Sequence, residues 1–214
     1  MSFRFLKVQF FVVASTLSIA ILLFAAQRRE AAQPQFRSII DLTATGSSAT
    51  NPASSQNTLL VAPAKVGGVW TVDSLPALRL VAPLAIIRAE RKNFPDSESL
   101  VTMDDVASYE RTHGAVSQGA IVLVTSAREG TAPIIDSDAL HFLVEARNVV
   151  GIGNAGNLVV PSNQNSYLAT KGIYQLESVA NLPLLPHSGA IAVAAPQKIP
   201  GAAESPVRLM ALVE

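Results

Sequence analysis

The sequence predicts a strand-rich α/β domain that follows an N-terminal membrane-associated segment. Two short apolar runs near the C-terminus, Ala190–Ala195 and Val207–Val213, are bounded by Pro and Gly, which is typical of buried strands rather than helices. A third run, Ala120–Ala127, is apolar at its centre and is also predicted to be a buried strand. The apolar run from Val8 to Ala26 is about as long as the ~20 residues that span a bilayer.

Composition limits the functions that this chain can have. With 214 residues it can form one domain with a sizeable core. Lys and Arg together number 16, as do Asp and Glu, so no basic field is present and no nucleic-acid partner is expected. The chain has no Cys, which excludes thiol catalysis, cysteine-based zinc sites and disulfides. Only three His are present, which limits metal binding.

The N-terminal segment has the charge pattern of an export signal. Arg4 and Lys7 precede its apolar run, and Arg28 and Arg29 follow it. A basic start and an apolar core are typical of a cleaved signal peptide and of an uncleaved membrane anchor, and both interpretations stay open. We therefore expect a protein that is membrane-anchored or secreted, outside the cytoplasm, and that contacts the membrane through this segment. The predicted organisation is a signal or anchor at 1–30, a tether at 31–36 and a folded domain at 37–214.

The middle of the chain contains helix signals and few candidates for chemistry. Thr102 and the acids after it are N-cap candidates for a helix that ends near Gly114. Asp136 and Asp138 have the spacing of a metal-binding pair, but their place before an apolar stretch favours helix capping. His141 is expected on that second helix. The three His are predicted to lie far apart.

A glycine-rich stretch, Gly151–Gly156, has the spacing of a dinucleotide-binding loop. That interpretation needs a helix to begin at the third glycine, and Pro161 follows too closely for one. Its Gly and Asn residues are therefore interpreted as turn formers.

Several motifs together resemble those of one family. The stretch 172–199 contains G-x-Y-x-x-E, then N-L-x-x-L-P-x-x-G-A and P-x-K-I, and S-P-x-R-x-x-A-L follows near the C-terminus. The first predicted strand, Arg37–Thr45, contains Asp-Leu-Thr, with Ala44 at the position where the family usually has His. This pattern resembles the cyclase family, which includes kynurenine formamidase and related metal-dependent amidohydrolases. The resemblance implies an α/β fold with a mixed sheet and few helices, in a homodimer or larger homo-oligomer.

The resemblance also implies a metal site whose ligands have been replaced. The family motif H-x-G-T-H-x-D-A-P-x-H corresponds to the stretch 55–65, where Thr58, Ala62 and Pro63 are kept. A later His of the family corresponds to Asn165, and its glutamate ligand corresponds to Glu177. The six implied former ligand positions are Ser55, Leu59, Val61, Lys65, Asn165 and Glu177.

Two predictions about this site follow from the residues present. Leu and Val have no donor atoms, and Lys carries a cation that repels a metal. We expect Leu59 and Val61 to fill the former cleft, because apolar side chains leave water. We expect Glu177 to be held by hydrogen bonds or by a cation, with Lys65 or Arg208 as candidates and a direct Lys65–Glu177 ion pair as the specific hypothesis.

Two functions are consistent with this sequence. The first is a degenerate, non-catalytic cyclase-family protein, without a cofactor, that binds a small molecule or a partner subunit. The alternative is a metal-dependent hydrolase of cyclic amide or formamide bonds, such as that of N-formylkynurenine, with zinc or manganese as cofactor. In that case Glu177 would be the catalytic base or a ligand.

Overall fold

A computed structural model describes residues 36–45, 57–89, 100–126 and 132–214. The predicted signal or anchor and most of the tether lie outside these residues, as does Ser55. Residues Phe36–Glu214 form one compact unit. None of the helices in the described part is long and apolar enough to cross a membrane.

The described elements alternate between strands and three α-helices. The strands are β1 Ser38–Asp41, β2 Leu59–Val61, β3 Val81–Ala89, β4 Leu100–Val101, β5 Ile121–Ser126, β6 Ile134–Ile135, β7 Gly151–Gly153, β8 Tyr174–Glu177, β9 Ala190–Pro196 and β10 Glu204–Val213. The α-helices are α1 Met103–His113, α2 Ser137–Ala146 and α3 Asn165–Lys171. Short 3₁₀ helices lie at Pro63–Val66, Val72–Ser74, Ala77–Arg79, Ser162–Gln164 and Leu182–Leu184.

Seven of the strands close into a barrel. Its order is β10-β2-β8-β7-β5-β3-β9, and β9 pairs again with β10 to complete the ring. Strands β3, β5, β7 and β8 are parallel to their neighbours within that group, and the remaining pairs are antiparallel. Strand β1 pairs with the edge of β10 beside β2, and β4 and β6 form a separate two-stranded sheet. The mixed sheet is as predicted, whereas its closure into a barrel was not.

The fold has two hydrophobic cores because strand residues alternate between the two sides of the barrel wall. One core fills the barrel with alternate residues from its strands, including Leu60, Leu84, Leu176 and Leu209. The other lies between the outer wall and the helices, and it contains Ile87, Val122, Ile152 and residues of α1 and α2. The helices therefore pack on the sheet, as expected, but they cover only one side of the barrel.

The helix boundaries agree with the sequence signals. Thr102 and Asp105 form a reciprocal capping box at the start of α1, and Gly114 follows its last residue with φ of 85°. Asp136 accepts a hydrogen bond from the backbone N–H of Ala139 at 2.8 Å, so it caps α2, as predicted.

The first half of the glycine-rich stretch has a different role from the predicted turn, whereas its second half bends after β7. Gly151 and Gly153 lie within β7, and a Cβ on Gly151 would stand 2.4 Å from the Tyr174 ring. A Cβ on Gly153 would stand 2.7 Å from Cβ of Leu176. These glycines are therefore needed because large side chains from β8 already fill the barrel beside β7.

Candidate functional site

A small cavity lies on the outer wall of the barrel, where the replaced ligand positions converge. It has a volume of about 90 Å³. Its lining comes from β2, the turn Pro63–Val66, the loop residues Asn157 and Leu158, helix α3 and strand β8. The cavity thus lies where the short strands β2 and β8 meet helix α3.

Strand pairing explains why these residues meet. In the antiparallel pair of β2 and β8, Leu59 stands opposite Glu177 and Val61 stands opposite Gln175. The intervening Leu60 points into the barrel, so these four side chains share the outer face. Val61, Gln175 and Glu177 line the cavity.

Glu177 is the carboxylate of the cavity and is partly buried. Burial raises the pKa of its carboxyl, because the charged form loses water. Lys65 acts in the opposite direction and lowers this pKa, whereas the nearby carboxylate of Glu204 raises it. The net effect is a raised pKa, so this carboxyl holds its proton more tightly than an exposed glutamate does.

Lys65 pairs with a residue that the sequence analysis did not select. Its Nζ lies 2.5 Å from Oε2 of Glu204, and the two side chains are 46% and 49% exposed. The predicted Lys65–Glu177 ion pair is therefore wrong as a direct contact: the ammonium group is bound to Glu204 and acts on Glu177 only from a longer distance. Arg208, the other predicted cation, lies 2.9 Å from Asp41 instead.

Two amide side chains form the polar part of the lining. Nε2 of Gln175 donates a hydrogen bond to Oδ1 of Asn165 at 3.2 Å. This bond leaves the amide N–H groups of Asn165 and the carbonyl oxygen of Gln175 for a ligand. The cavity thus offers amide donors, a carbonyl acceptor and a titratable carboxyl.

Buried hydrogen bonds hold the strand ends at the cavity. Oγ1 of Thr58 accepts from the N–H of Ala44 at 2.6 Å and donates to the carbonyl of Ser178 at 2.8 Å, which joins the start of β2 to the end of β8. Asn154 is fully buried, and its Nδ2 donates to the carbonyls of Pro133 at 2.7 Å and Leu158 at 2.8 Å. It therefore fixes the loop that covers one side of the cavity.

The structure brings together four of the six positions that the resemblance implied: Val61, Lys65, Asn165 and Glu177. Leu59 lies beside Glu177 in the strand register but does not line the cavity. We predicted that Leu59 and Val61 would fill the former cleft, but the cleft is not completely filled. Leu59 stays partly exposed, and a cavity remains beside Val61. Sequence patterns did not indicate Gln175 or Glu204, since their positions depend on strand register.

The described residues do not fit a zinc or manganese ion. Among them, no group of three or more His, Asp or Glu side chains is arranged to hold a metal. All three His of the sequence are described, and none lines this cavity.

His113 and His187, predicted to be far apart, stack with ring centroids 4.9 Å apart, and His141 stacks on Tyr167 at 4.2 Å.

The closed seven-stranded barrel and the helices outside it define the class of protein as a mixed α/β fold. The chain belongs to the cyclase family: the family described as "Putative cyclase" matches residues 31–154, more than half of the chain.

Isatin hydrolases are among the proteins to which this chain is similar. The isatin hydrolase of Roseibium aggregatum is 30% identical over 166 residues, which cover 66% of this chain and 63% of the relative. The chain thus spans less than two thirds of that curated relative's length. The structure of isatin hydrolase A from Labrenzia aggregata, bound to benzyl benzoate, aligns with a TM-score of 0.69 and 26% identity over 82% of this chain and 93% of that one. Isatin hydrolase A from Ralstonia solanacearum aligns with a TM-score of 0.64 and 26% identity over 83% and 92% of the two chains.

Proposed function

We propose that this chain is a non-catalytic member of the cyclase family that binds a small polar molecule in the cavity between β2 and α3. The observation that carries the proposal is the composition of that cavity. It combines the carboxyl of Glu177 with the paired amides of Asn165 and Gln175, and it places Val61 and Lys65 where the family resemblance implies metal ligands.

The lining argues against metal-activated catalysis. A catalytic zinc site takes about three protein ligands and generates hydroxide from bound water. Val61 supplies no donor atom, and the ammonium group of Lys65 brings a positive charge to the place where a cation would have to bind. The ion pair with Glu204 keeps that ammonium group in position.

The volume of the cavity sets the size of the ligand. About 90 Å³ is well below the roughly 300–1,000 Å³ of pockets that enclose drug-sized ligands. The cavity therefore suits a small amide, a carboxylic acid or the polar end of a longer molecule.

The lining also sets the chemistry of the ligand. The amide N–H groups of Asn165 can donate to a ligand carbonyl, and the Gln175 carbonyl and the Glu177 carboxyl can accept from a ligand N–H. A primary or secondary amide offers both groups. We therefore propose a small carboxamide as the ligand class.

A second function, hydrolysis of a cyclic amide or formamide, is favoured by the similarity to isatin hydrolases. Burial raises the pKa of the Glu177 carboxyl, and a cavity carboxyl is a candidate for general acid–base work in such a reaction. In this case zinc or manganese would be the expected cofactor.

The N-terminal sequence supports a location outside the cytoplasm. The apolar run from Val8 to Ala26, flanked by basic residues, is the basis for proposing a membrane-anchored or secreted protein. The ligand would then come from the extracytoplasmic space.

The first experiment compares metal content, binding and turnover in the full-length protein purified in detergent. The protein is incubated with zinc and manganese, desalted and measured for bound metal. It is then tested with isatin and N-formylkynurenine for hydrolysis, and with acetamide for binding by NMR line broadening. The non-catalytic function predicts no stoichiometric metal, no turnover and acetamide binding.

Glu177→Gln is the diagnostic variant, and Glu145→Gln, on the exposed surface of α2, is its matched control. If Glu177→Gln alone weakens acetamide binding, the carboxyl contributes to the site. About one metal per chain, lost together with isatin hydrolysis in Glu177→Gln, would establish the hydrolase function instead.

A further inference from the structure

A second cavity lies beside the ends of α2 and α3, where the chain enters β7 and β8. It has a volume of about 380 Å³, which falls within the roughly 300–1,000 Å³ of small-molecule sites. Its lining comes from the turn before β3, from α2 and the loop after it, and from the end of α3. We call it the Arg79 cavity. Ile173 also lines the cavity beside Glu177, so the two cavities are neighbours, but their polar groups are different.

Arg79 is a partly buried cation whose charge is not neutralised within the described structure. Its Nη2 donates a hydrogen bond to the carbonyl of Gly172 at 2.9 Å, and its guanidinium carbon lies 4.7 Å from the centre of the Trp70 ring. No Asp or Glu side chain of the described residues forms an ion pair with it. Burial lowers the pKa of Arg79, as expected for a cation that has lost water without gaining a carboxylate.

One nitrogen of this guanidinium lacks an acceptor. Nε of Arg79 is buried, and it has no hydrogen-bond partner in the part of the chain that the structure describes. A buried donor without a partner costs free energy, and the cost is larger on a charged group. Arginine has five N–H donors, so a purely structural role at the end of α3 accounts for only one of them. Because Arg79 lines the cavity, a small shift of its flexible side chain toward a bound anion would give Nε an acceptor.

The other charged groups of the lining neutralise each other. Oε1 of Glu145 accepts a hydrogen bond from the hydroxyl of Tyr167 at 3.1 Å and lies 3.4 Å from Nζ of Lys171. These two partners hold the pKa of the Glu145 carboxyl below its ordinary value, so this carboxylate stays charged. Two cations and one carboxylate leave the lining with one net positive charge, at Arg79. A ligand with a single negative charge would balance it.

Apolar side chains form the floor of the Arg79 cavity. Val144, Val149 and Ile173 line it, and all three belong to the hydrophobic core between the barrel wall and the helices. Their packing in that core fixes the floor in place. An apolar chain on a ligand would lie against this floor and leave water, whereas inorganic phosphate has no group to place there.

We propose that the Arg79 cavity binds a monocarboxylate with a short apolar chain, whose carboxylate pairs with the guanidinium of Arg79. A guanidinium presents a planar fork of donors that matches the two oxygens of a carboxylate. The ligand supplies the negative charge and the acceptor that Arg79 lacks, and its chain covers the floor. This site is separate from the carboxyl of Glu177, so it does not depend on whether the first cavity binds an amide or hydrolyses one.

Trp70 gives a direct readout of binding, because it is the only Trp of the chain and stacks on Arg79. The full-length protein, purified in detergent, is titrated with sodium hexanoate while the Trp emission is recorded. Isothermal titration calorimetry gives the dissociation constant, and 1-hexanol is the neutral probe with the same chain length. The proposal predicts saturable binding of hexanoate with a change in Trp70 emission, and binding of 1-hexanol that is at least about tenfold weaker.

Arg79→Gln is the diagnostic variant, because it removes the charge and keeps an amide that can donate to the carbonyl of Gly172. Arg88→Gln, at an exposed arginine on β3, is the matched control. Hexanoate binding should weaken at least about tenfold in Arg79→Gln and stay unchanged in Arg88→Gln and in Glu177→Gln. Arg79→Lys keeps the charge without the fork, so its affinity should lie between those of wild type and Arg79→Gln. Circular dichroism melting checks that each variant is folded; if Arg79→Gln is not, Arg79→Lys and the comparison with 1-hexanol provide the test.

Several results would overturn the proposal. Wild-type protein that does not bind hexanoate saturably, or that binds 1-hexanol equally well, has no carboxylate site. Equal losses in the Arg79 and Arg88 variants would mean general charge attraction, and an unchanged affinity in Arg79→Gln would mean that Arg79 only fastens the end of α3. Loss of binding in Glu177→Gln alone would assign hexanoate to the first cavity. Acetamide binding is measured separately, so failure of the proposed function leaves this test intact.

Discussion

Replacing Asn154 is expected to destabilise the protein strongly, because this side chain makes three hydrogen bonds in a fully buried position. Its Nδ2 donates to the carbonyls of Pro133 and Leu158, and its Oδ1 accepts from the N–H of Gly156 at 2.9 Å. Asn154→Ala removes all three bonds and leaves the buried Pro133 carbonyl without this donor.

The magnitude follows from the number of bonds lost. Each is worth about 1 kcal/mol of net stability, so the free energy of unfolding should fall by about 3 kcal/mol. For a domain of this size, that change lowers the melting temperature by roughly 6–12 °C. The carbonyl of Leu158 belongs to a residue that is 40% exposed, so water can replace part of its lost bond.

Urea unfolding followed by circular dichroism measures this loss. The control is Asn157→Ala, three residues further along the same loop, where the side chain is exposed and the change should stay within about 0.5 kcal/mol. A loss below about 1 kcal/mol in Asn154→Ala would refute the assigned role of these bonds.

The isosteric variant Asn154→Asp tests the direction of the bonds. It keeps an acceptor for the N–H of Gly156 but turns two donated bonds into repulsion between oxygen atoms. Burial and this repulsion should raise the pKa of the introduced carboxyl, since only its protonated form can donate. The variant should therefore regain part of its stability as the pH falls, whereas Asn154→Ala should not.

Three further predictions concern titration and packing. Glu177 has a pKa raised above its ordinary value of 4.5, so its contribution to the free energy of unfolding is fully present below that value and is lost as the pH rises through the folded pKa. Glu177→Gln should therefore unfold at a higher urea concentration than wild type at neutral pH. The difference between the two proteins should vanish in acid. Glu110 shows the opposite sign, because its hydrogen bonds to Arg147 at 2.7 and 2.8 Å lower its pKa. The stability that it adds is present above its ordinary pKa and is lost as the pH falls. In Glu110→Gln, the free energy of unfolding should therefore fall less steeply as the pH is lowered. Gly153→Ala should lower the free energy of unfolding by about 1–3 kcal/mol, because its Cβ would stand 2.7 Å from Cβ of Leu176. The same urea titration measures this loss. An unchanged midpoint would mean that β7 has room for a side chain.

Local patterns in the sequence were sufficient to predict individual elements. The helix that begins after Thr102 and the cap at Asp136 depend on side chains within one turn of the affected backbone groups, so three or four residues contain the necessary information. The buried strand β5 was equally clear, because its run of apolar residues is short and uninterrupted.

The candidate site was predicted only in part. The motif register indicated Val61, Lys65, Asn165 and Glu177, and these four residues do line one cavity. It did not indicate Glu204, which reaches Lys65 only because β10 pairs with β2. A charged side chain has several candidate partners of opposite sign in the sequence, and only the distances between them in the folded structure decide which one it pairs with.

The sequence by itself determined the family, the strand and helix signals, and the absence of thiol chemistry, because these depend on residue identity and short-range spacing. Only the tertiary structure decided that the sheet closes, that Gly151 and Gly153 are required by packing rather than by a turn, and that the rings of His113 and His187 stack. The physical reason is the same in each case: these features depend on which distant strands pair and in which register, and a shift of one residue in register turns every side chain to the opposite face.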